Sequence, residues 1–224
     1  MRIAILVFAG VEELDFVGPW GVFKAAEALG AKLTVELVTL TSGIHVAANH
    51  GLMFHAGRPL RLGECASGTT AGAAGAAPDT PLPPDAPNAF DLLLLPGGAW
   101  ITGGDTGVRA AVKDAALLDY LRRASEAGVV LASVCTGAFF LAEAGLLKGR
   151  RAATHHLAHG DLPRYGATLV TDRVVDDGNI LSAGGVTSGL DLALWIVERF
   201  FGAELCRMTE EYLEYTPPRS QPIM

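Results

Sequence analysis

The clearest indication of the fold is the segment Val129-Val130-Leu131-Ala132-Ser133-Val134-Cys135-Thr136-Gly137-Ala138-Phe139. Its first half is rich in valine and other apolar residues, which is typical of a buried strand. Its second half is small and apolar and favours the start of a helix. Cys135 stands at the junction, so the sequence predicts a strand, a tight elbow at the cysteine, and a helix.

Similar alternation continues along the rest of the chain. Runs rich in Val, Ile and Leu predict strands at Ile3–Phe8, Leu33–Leu40 and Leu92–Leu95. Amphipathic stretches predict helices at Trp20–Leu29, Val108–Ala127, Leu190–Phe201 and Ala203–Tyr215. The alternation predicts an α/β fold with a mainly parallel sheet covered by helices on both faces.

Two β-hairpins are predicted in addition. One joins His45–Asn49 to Leu52–His55 around His50-Gly51, and the other joins Leu169–Val175 to Ile180–Ala183 around Asp176-Asp177-Gly178-Asn179. Both are expected to make the sheet mixed.

A single domain over residues 1–224 is expected, with a low-complexity insertion at about 65–88. Alanine, glycine, threonine and proline dominate the insertion, and Leu82-Pro83-Pro84-Asp85-Ala86-Pro87 cannot form a helix or a central strand. We expect an exposed segment, with a lid over a site as the alternative.

Composition narrows the classes of partner. Lysine and arginine number 17 against 24 aspartate and glutamate, a net charge of −7. This balance offers no electrostatic footprint for nucleic acid or an anionic membrane surface. The apolar stretch Gly128–Leu147 is interrupted by polar residues and glycines, so no membrane span is expected. Small molecules or other proteins are the expected partners, with a small-molecule substrate if the protein is an enzyme.

The three cysteines Cys65, Cys135 and Cys206 are widely spaced and form no CxxC pair. They indicate neither a disulfide framework nor a thiolate zinc site, and a reducing cytoplasm fits best. We expect no metal and no cofactor. At the predicted elbow, backbone N–H groups and the helix dipole favour the thiolate of Cys135. The alternative is a buried cysteine that only packs. Cys65 and Cys206 lack such a setting and are interpreted as structural.

Two other segments are expected to end near Cys135, because ligands bind at the carboxyl ends of parallel strands. After one strand come Gly97, Gly98 and Trp100. The glycine N–H groups could hold developing negative charge. The indole of Trp100 could wall an apolar pocket, or it could equally be an ordinary part of the core. After the first strand comes Asp15, whose apolar flanks tend to raise a carboxyl pKa. Its alternative role is to cap a helix that begins near Pro19.

These pieces together resemble the ThiJ/PfpI superfamily. The resemblance rests on five motifs in family order: Glu13-Leu14-Asp15-Phe16-Val17-Gly18-Pro19, Leu95-Pro96-Gly97-Gly98, Ser133-Val134-Cys135-Thr136-Gly137, Ala153-Thr154-His155 and Gly184-Gly185-Val186-Thr187-Ser188-Gly189-Leu190-Asp191. The first and third most resemble the isonitrile hydratase branch and the amidase-like sensor domains of some AraC-type regulators. No helix-turn-helix region precedes Met224, so a regulator is not expected.

The resemblance implies a flavodoxin-like three-layer sandwich that forms a homodimer. It implies Cys135 as nucleophile and Asp15 as its acidic partner. Protease-like members carry Cys-His at the elbow, whereas Thr136 stands here, so peptidase activity is not expected. His155 lies where several relatives have a histidine near the cysteine, which makes it a secondary candidate. His156 and His159 are interpreted as solvated or packing residues.

The function implied is hydration of an isonitrile to an N-substituted formamide. Cys135 would attack the terminal carbon, Asp15 would act as acid and then base, and the N–H groups of Gly98 and Thr136 would stabilise charge. Two alternatives stay open. One is a glyoxalase or deglycase-like reaction on α-oxoaldehydes, and the other is a non-enzymatic stress or redox sensor whose Cys135 is oxidised.

Overall fold

The computed structural model describes residues 1–41, 43–60, 62, 90–100 and 105–218. In chain order the strands are β1 Arg2–Val7, β2 Thr34–Thr39, β3 His45–Ala47, β4 Met53–His55, β5 Arg58–Pro59, β6 Leu92–Leu95, β7 Val130–Val134, β8 Arg151–Ala152, β9 Thr168–Leu169, β10 Val174–Asp177 and β11 Ile180–Ala183. The helices are α1 Glu13–Ala28, α2 Val108–Ala111, α3 Ala115–Glu126, α4 Ala138–Glu143, α5 Ser188–Phe201 and α6 Ala203–Leu213.

Seven strands form the central sheet in the order β10-β11-β7-β6-β1-β2-β5. The pairs from β11 to β5 are parallel, and β10 lies antiparallel to β11 at one edge. The predicted mixed, mainly parallel sheet is therefore confirmed. The sheet brings the carboxyl ends of β1, β6 and β7 side by side. The segments that carry the candidate site residues Asp15, Gly97 and Cys135 follow these three strands.

The first predicted hairpin forms but does not join this sheet. β3 and β4 pair antiparallel as a separate two-stranded sheet. Only the second hairpin contributes to the central sheet. Its first strand is shorter than the predicted Leu169–Val175, because β9 ends at Leu169 and β10 begins only at Val174. The mixed character of the sheet therefore comes from β10 alone.

Helices cover both faces of the sheet. Ile3 to Val7 in β1 and all four leucines of β6 are at most 1% exposed. Because successive side chains of a strand point to opposite faces, burial of every residue requires cover on both sides. Helices α1, α5 and α6 pack together as one group, and α3 packs with α4 as another. The flavodoxin-like sandwich predicted from the sequence is confirmed.

Helix α1 begins seven residues before the predicted start at Trp20. It starts at Glu13, contains Pro19, and buries Asp15 in its first turn. Pro19 cannot donate the usual hydrogen bond to the carbonyl four residues earlier. Burial of Phe16, Val22 and Phe23 stabilises the helix across this position.

The predicted helix Val108–Ala127 is two helices. Helix α2 ends at Ala111, and α3 begins at Ala115. Between them, the Asp114 carboxylate accepts hydrogen bonds from the backbone N–H groups of Ala116 at 2.9 Å and Leu117 at 3.3 Å. These bonds cap the start of α3.

The insertion at 65–88, with Cys65, lies outside the described residues, so its role as exposed segment or lid stays a prediction. Within the described ranges, no helix has the length and apolar character that crossing a bilayer demands. The expected homodimer and the cytoplasmic location also stay predictions.

Candidate active site

Cys135 occupies a strained elbow at the end of β7. Its φ is +58°, a left-handed conformation that non-glycine residues rarely adopt. A single 3₁₀ turn, Cys135–Gly137, leads from the strand into α4. Two hydrogen bonds hold the elbow: the Cys135 N–H donates to the Gly184 carbonyl at 2.8 Å, and the Thr154 hydroxyl donates to the Cys135 carbonyl at 2.9 Å. Strain held in this way is common at nucleophile elbows.

The carboxyl of Asp15 is fully buried beside the elbow. Its Oδ2 accepts a hydrogen bond from the Gly97 N–H at 2.8 Å, whereas its Oδ1 is buried without an N–H or O–H donor among the described residues. Burial raises the pKa of Asp15 from 3.8 to about 8, the Gly97 N–H lowers it, and the nearby charge of Glu12 raises it. Asp15 therefore keeps its proton at neutral pH. It lies inside the first turn of α1 and does not cap a helix.

The thiol of Cys135 interacts with this carboxyl. Burial, together with the charge of Asp15, raises the pKa of Cys135 to about 12. The N–H groups of Val186 and Thr136 face the sulfur and lower the pKa, as expected for an elbow. The predicted preference for thiolate is nevertheless wrong for the resting site, because the side chain is only 6% exposed and desolvation outweighs the N–H groups.

The glycine pair after β6 positions Asp15 and Thr136. Gly98 donates its N–H to the Thr136 hydroxyl at 3.1 Å, so this N–H is already engaged within the protein. Gly98 has a φ of +138°, and a Cβ there would lie 2.2 Å from the Gly10 carbonyl oxygen. A Cβ on Gly97 would lie 2.7 Å from both the nitrogen and the hydroxyl of Thr136. Glycine at both positions lets the backbone pack directly against the site.

The loop that carries Val186 is a part of the site that the sequence does not single out. Val186 has a φ of +35° and offers its N–H to the Cys135 sulfur. The next residue, Thr187, accepts a hydrogen bond from Arg173 at 3.1 Å, and Arg173 also pairs with Asp191 through Nε at 2.9 Å. The Tyr215 hydroxyl donates to the same carboxylate at 3.1 Å. The sequence signal for this loop is the Gly184–Asp191 motif, which by itself does not indicate the role of Val186.

His155 lies at the rim of the site. Its ring covers Gly185, where a Cβ would approach the ring Cδ2 to 2.7 Å. Its Nδ1 accepts the Leu157 N–H at 3.2 Å. Partial burial and the neighbouring His156 and His159 lower the pKa of His155, so the ring is neutral at physiological pH. His156 is exposed and His159 is half-buried.

Trp100 is buried, but the pocket that it borders is not apolar. Its ring stacks on Phe139 with centroids 3.8 Å apart and planes 4° apart. Its indole N–H donates to Asp161 at 3.1 Å, and the adjoining cleft is lined mainly by charged and polar side chains. The cleft beside Trp100 is therefore polar, and the ring itself packs in the hydrophobic core. A role for Trp100 at the substrate stays a prediction.

Cys206 lies in α6, where its sulfur contacts the Leu194 carbonyl at 3.4 Å. Burial and Glu210 raise its pKa to about 12. It packs as expected, and Cys65 lies outside the described residues.

Glu12, Glu13 and His50 bring one ligand atom each within 4.8 Å of one another, the arrangement among the described residues that could hold a metal ion. Both carboxylates are already engaged by the turn of the β3–β4 hairpin. Asn49 donates to Glu12 at 3.2 Å, and the His50 N–H donates to Glu13 at 2.7 Å. These hydrogen bonds link the start of α1 to the β3–β4 hairpin, which accounts for the cluster.

The site thus combines a buried thiol, a protonated carboxyl beside it, and two N–H groups facing the sulfur. Such a set can add sulfur to a small electrophilic carbon and deliver a proton to the adduct. The thiol can return as a leaving group because the N–H groups of Thr136 and Val186 stabilise negative charge on sulfur.

Comparison with known proteins identifies the family of this chain. The profile of the DJ-1/PfpI family matches residues 1–199. The isonitrile hydratase of Pseudomonas putida is 31% identical over 218 residues, which cover 97% of this chain and 79% of that protein. The crystal structure of a ThiJ/PfpI family protein from Pseudomonas syringae superposes with a TM-score of 0.73 at 26% identity, over 97% of this chain and 76% of that chain. Drosophila melanogaster DJ-1beta shares the fold, with a TM-score of 0.75 at 21% identity, over 96% of this chain and 98% of that one. The chain belongs to the DJ-1/PfpI family.

Proposed function

We propose that this protein hydrates an isonitrile to an N-substituted formamide, with Cys135 as nucleophile and Asp15 as acid and base. The observation that carries the proposal is the buried Asp15 carboxyl that interacts with the Cys135 thiol while Gly97 holds it in place. Similarity to the isonitrile hydratase of Pseudomonas putida along 97% of the chain supports it.

The reactive form carries one proton on the Asp15–Cys135 pair. The pKa is about 8 for Asp15 and about 12 for Cys135, and the two groups interact. The first proton is therefore lost from the coupled pair and is not assigned to one residue. The remaining proton lies either on sulfur or on the carboxyl. The arrangement with a thiolate beside a carboxylic acid is the one that reacts.

In the first step, the lone pair of the isonitrile carbon takes the proton of Asp15, and an electron pair of the Cys135 sulfur forms the new C–S bond. One C–N π bond moves onto nitrogen. The product is a thioimidate on Cys135, and Asp15 is left as a carboxylate. Covalent capture divides one difficult hydration into two easier steps.

In the second step, the Asp15 carboxylate takes a proton from water as the water oxygen attacks the thioimidate carbon. That proton passes to the nitrogen. The C–S bond then breaks, the carbonyl forms, and the remaining water proton goes to Asp15. The formamide leaves, and the thiolate and the carboxylic acid are regenerated.

The backbone donors of the site stabilise the sulfur during both steps. The N–H groups of Thr136 and Val186 face it, and loss of one such donor in other enzymes costs about a hundredfold in rate. The Gly98 N–H serves instead to hold the Thr136 hydroxyl. We assign Gly97 and Gly98 a positioning role, and His155 a role in shaping the entrance.

The alternative functions make different demands on Cys135. A redox sensor depends on an exposed thiolate of low pKa, and Cys135 is buried with a raised pKa. An oxoaldehyde reaction uses the same nucleophile on a carbonyl carbon, so only the substrate separates it from isonitrile hydration.

Proton NMR of the purified protein with cyclohexyl isocyanide tests the proposal, in parallel with methylglyoxal. Formamide from the native protein and none from Cys135→Ala supports isonitrile hydration. Cys206→Ala is the matched control and should keep full activity. Lactate from methylglyoxal without any formamide would replace the proposal with the oxoaldehyde reaction.

A further inference from the structure

The polar cleft beside Trp100 is separate from the residues of the proposed reaction. It has a volume of about 520 Å³. Its lining consists of Trp100, Arg109, Val112, Lys113, Glu143, Asp161, Arg164 and Tyr165. Neither Cys135 nor Asp15 lines it. A cavity of this size accommodates a small organic molecule.

The acidic side chains of the cleft are already paired. Glu143 accepts a hydrogen bond from the Tyr165 hydroxyl at 2.8 Å. Asp161 accepts one from the Trp100 indole N–H at 3.1 Å and forms an ion pair with Arg164 at 3.1 Å. These contacts account for both carboxylates and for one of the three cations that line the cleft.

Arg109 and Lys113 are the two cations that remain. Within the described part of the chain, neither has a carboxylate at ion-pair distance. Arg109 is held in place, since its guanidinium lies 4.4 Å over the Trp100 ring and its Nε donates to the Trp100 carbonyl. Its two terminal amino groups have no acceptor among the described residues. A fixed guanidinium with free amino groups is suited to oxyanions, which it binds with paired hydrogen bonds.

The cleft carries more cations than carboxylates, although the chain as a whole is acidic. With a net charge of −7, the protein does not attract anions in general. Binding of an anion therefore depends on a local site. Both faces of the Trp100 ring are covered, by Phe139 and by Arg109, which leaves charge rather than aromatic stacking as the basis of recognition.

We propose that this cleft binds a small dianion, either a phosphate monoester or a dicarboxylate, between Arg109 and Lys113. The proposal concerns a site distinct from Cys135 and does not depend on the isonitrile reaction.

Isothermal titration calorimetry at constant ionic strength tests this proposal, with inorganic phosphate, succinate and acetate as probes. We expect saturable one-to-one binding of a dianion and at least about tenfold weaker binding of acetate. Lys113→Gln should weaken dianion binding by about tenfold or more. Lys32→Gln removes the same charge at an exposed position outside the cleft and should leave the affinity unchanged. Tighter binding of phosphate than of succinate would identify a phosphate monoester as the ligand class, and the reverse order would identify a dicarboxylate.

Three results would overturn the proposal: no saturable binding of either dianion, equal weakening by Lys113→Gln and Lys32→Gln, or loss of binding in Cys135→Ala. The last would place the anion at the cysteine. Arg109→Gln should also weaken binding, and if that variant does not fold, Lys113→Gln alone decides.

Discussion

The backbone N–H of Gly97 lies 2.8 Å from Oδ2 of Asp15, and this contact joins the end of β6 to the first turn of α1. It holds in place the carboxyl that interacts with Cys135. The geometry leaves no room at Gly97, because a Cβ would lie 2.8 Å from that same oxygen and 2.7 Å from the Thr136 nitrogen.

Gly97→Ala should therefore displace Asp15 and Thr136 and lower kcat by about a hundredfold, the cost of a shift of about 1 Å at a reacting centre. Gly160→Ala is the matched control, since nothing lies within 4 Å of a Cβ there. Steady-state formamide kinetics of both variants check the prediction. Native kcat in a folded Gly97→Ala protein would show that the contact is dispensable.

Asp15→Asn should change how stability depends on pH. The unfolded chain loses the Asp15 proton near pH 3.8, whereas the folded protein keeps it up to about pH 8. The free energy of unfolding of the native protein therefore falls as pH rises between these values, by up to about 1.4 kcal/mol per pH unit. Above pH 8 this contribution no longer changes with pH.

Urea unfolding across this range should show the free energy of unfolding of Asp15→Asn rising relative to that of the native protein. The exposed Asp105→Asn serves as control. A difference between Asp15→Asn and native protein that is constant with pH would contradict the raised pKa.

The pH profile of the reaction follows from the same pair. Below about pH 8 the pair holds two protons, and the reactive form needs one of them removed. The value of kcat/KM should therefore rise about tenfold per pH unit below pH 8 and level off above it. Formamide production measured by NMR across this range checks the profile. A rate that falls as pH rises toward 8 would rule out the proposed starting state.

The Tyr215–Asp191–Arg173 network should act on the Val186 N–H that faces Cys135. Tyr215→Phe removes one hydrogen bond to Asp191 and should lower kcat by about threefold to tenfold with little change in KM. It should also shift the alkylation of Cys135 by iodoacetamide to higher pH, because a displaced N–H lowers the thiol pKa less. Tyr212→Phe, at a residue that is 65% exposed, should change neither quantity. A lower kcat with an unchanged alkylation profile would assign the network a purely structural role.

Much of this arrangement was predictable from local sequence pattern. The apolar runs at β1, β6 and β7 identify buried parallel strands, and the topology rule for such sheets brings the segments after them together. The apolar neighbours of Asp15 correctly predicted its burial and its raised pKa.

Other features depend on tertiary contacts that no local pattern carries. Pro19 is typical of a helix start, but the packing of Phe16 extends α1 back to Glu13. Val186 contributes a backbone N–H, so its side chain gives no signal of the role. The pKa of Cys135 depends on desolvation by the whole fold, which outweighs the effect of the elbow.

The most direct test of the account is rapid-quench mass spectrometry of Cys135 during turnover of cyclohexyl isocyanide. The account predicts that the peptide containing Cys135 gains the mass of one isonitrile, that this adduct forms and decays as formamide accumulates, and that Asp15→Asn does not turn over. Formamide produced while Cys135 stays unmodified, or produced equally by Cys135→Ala, would contradict it.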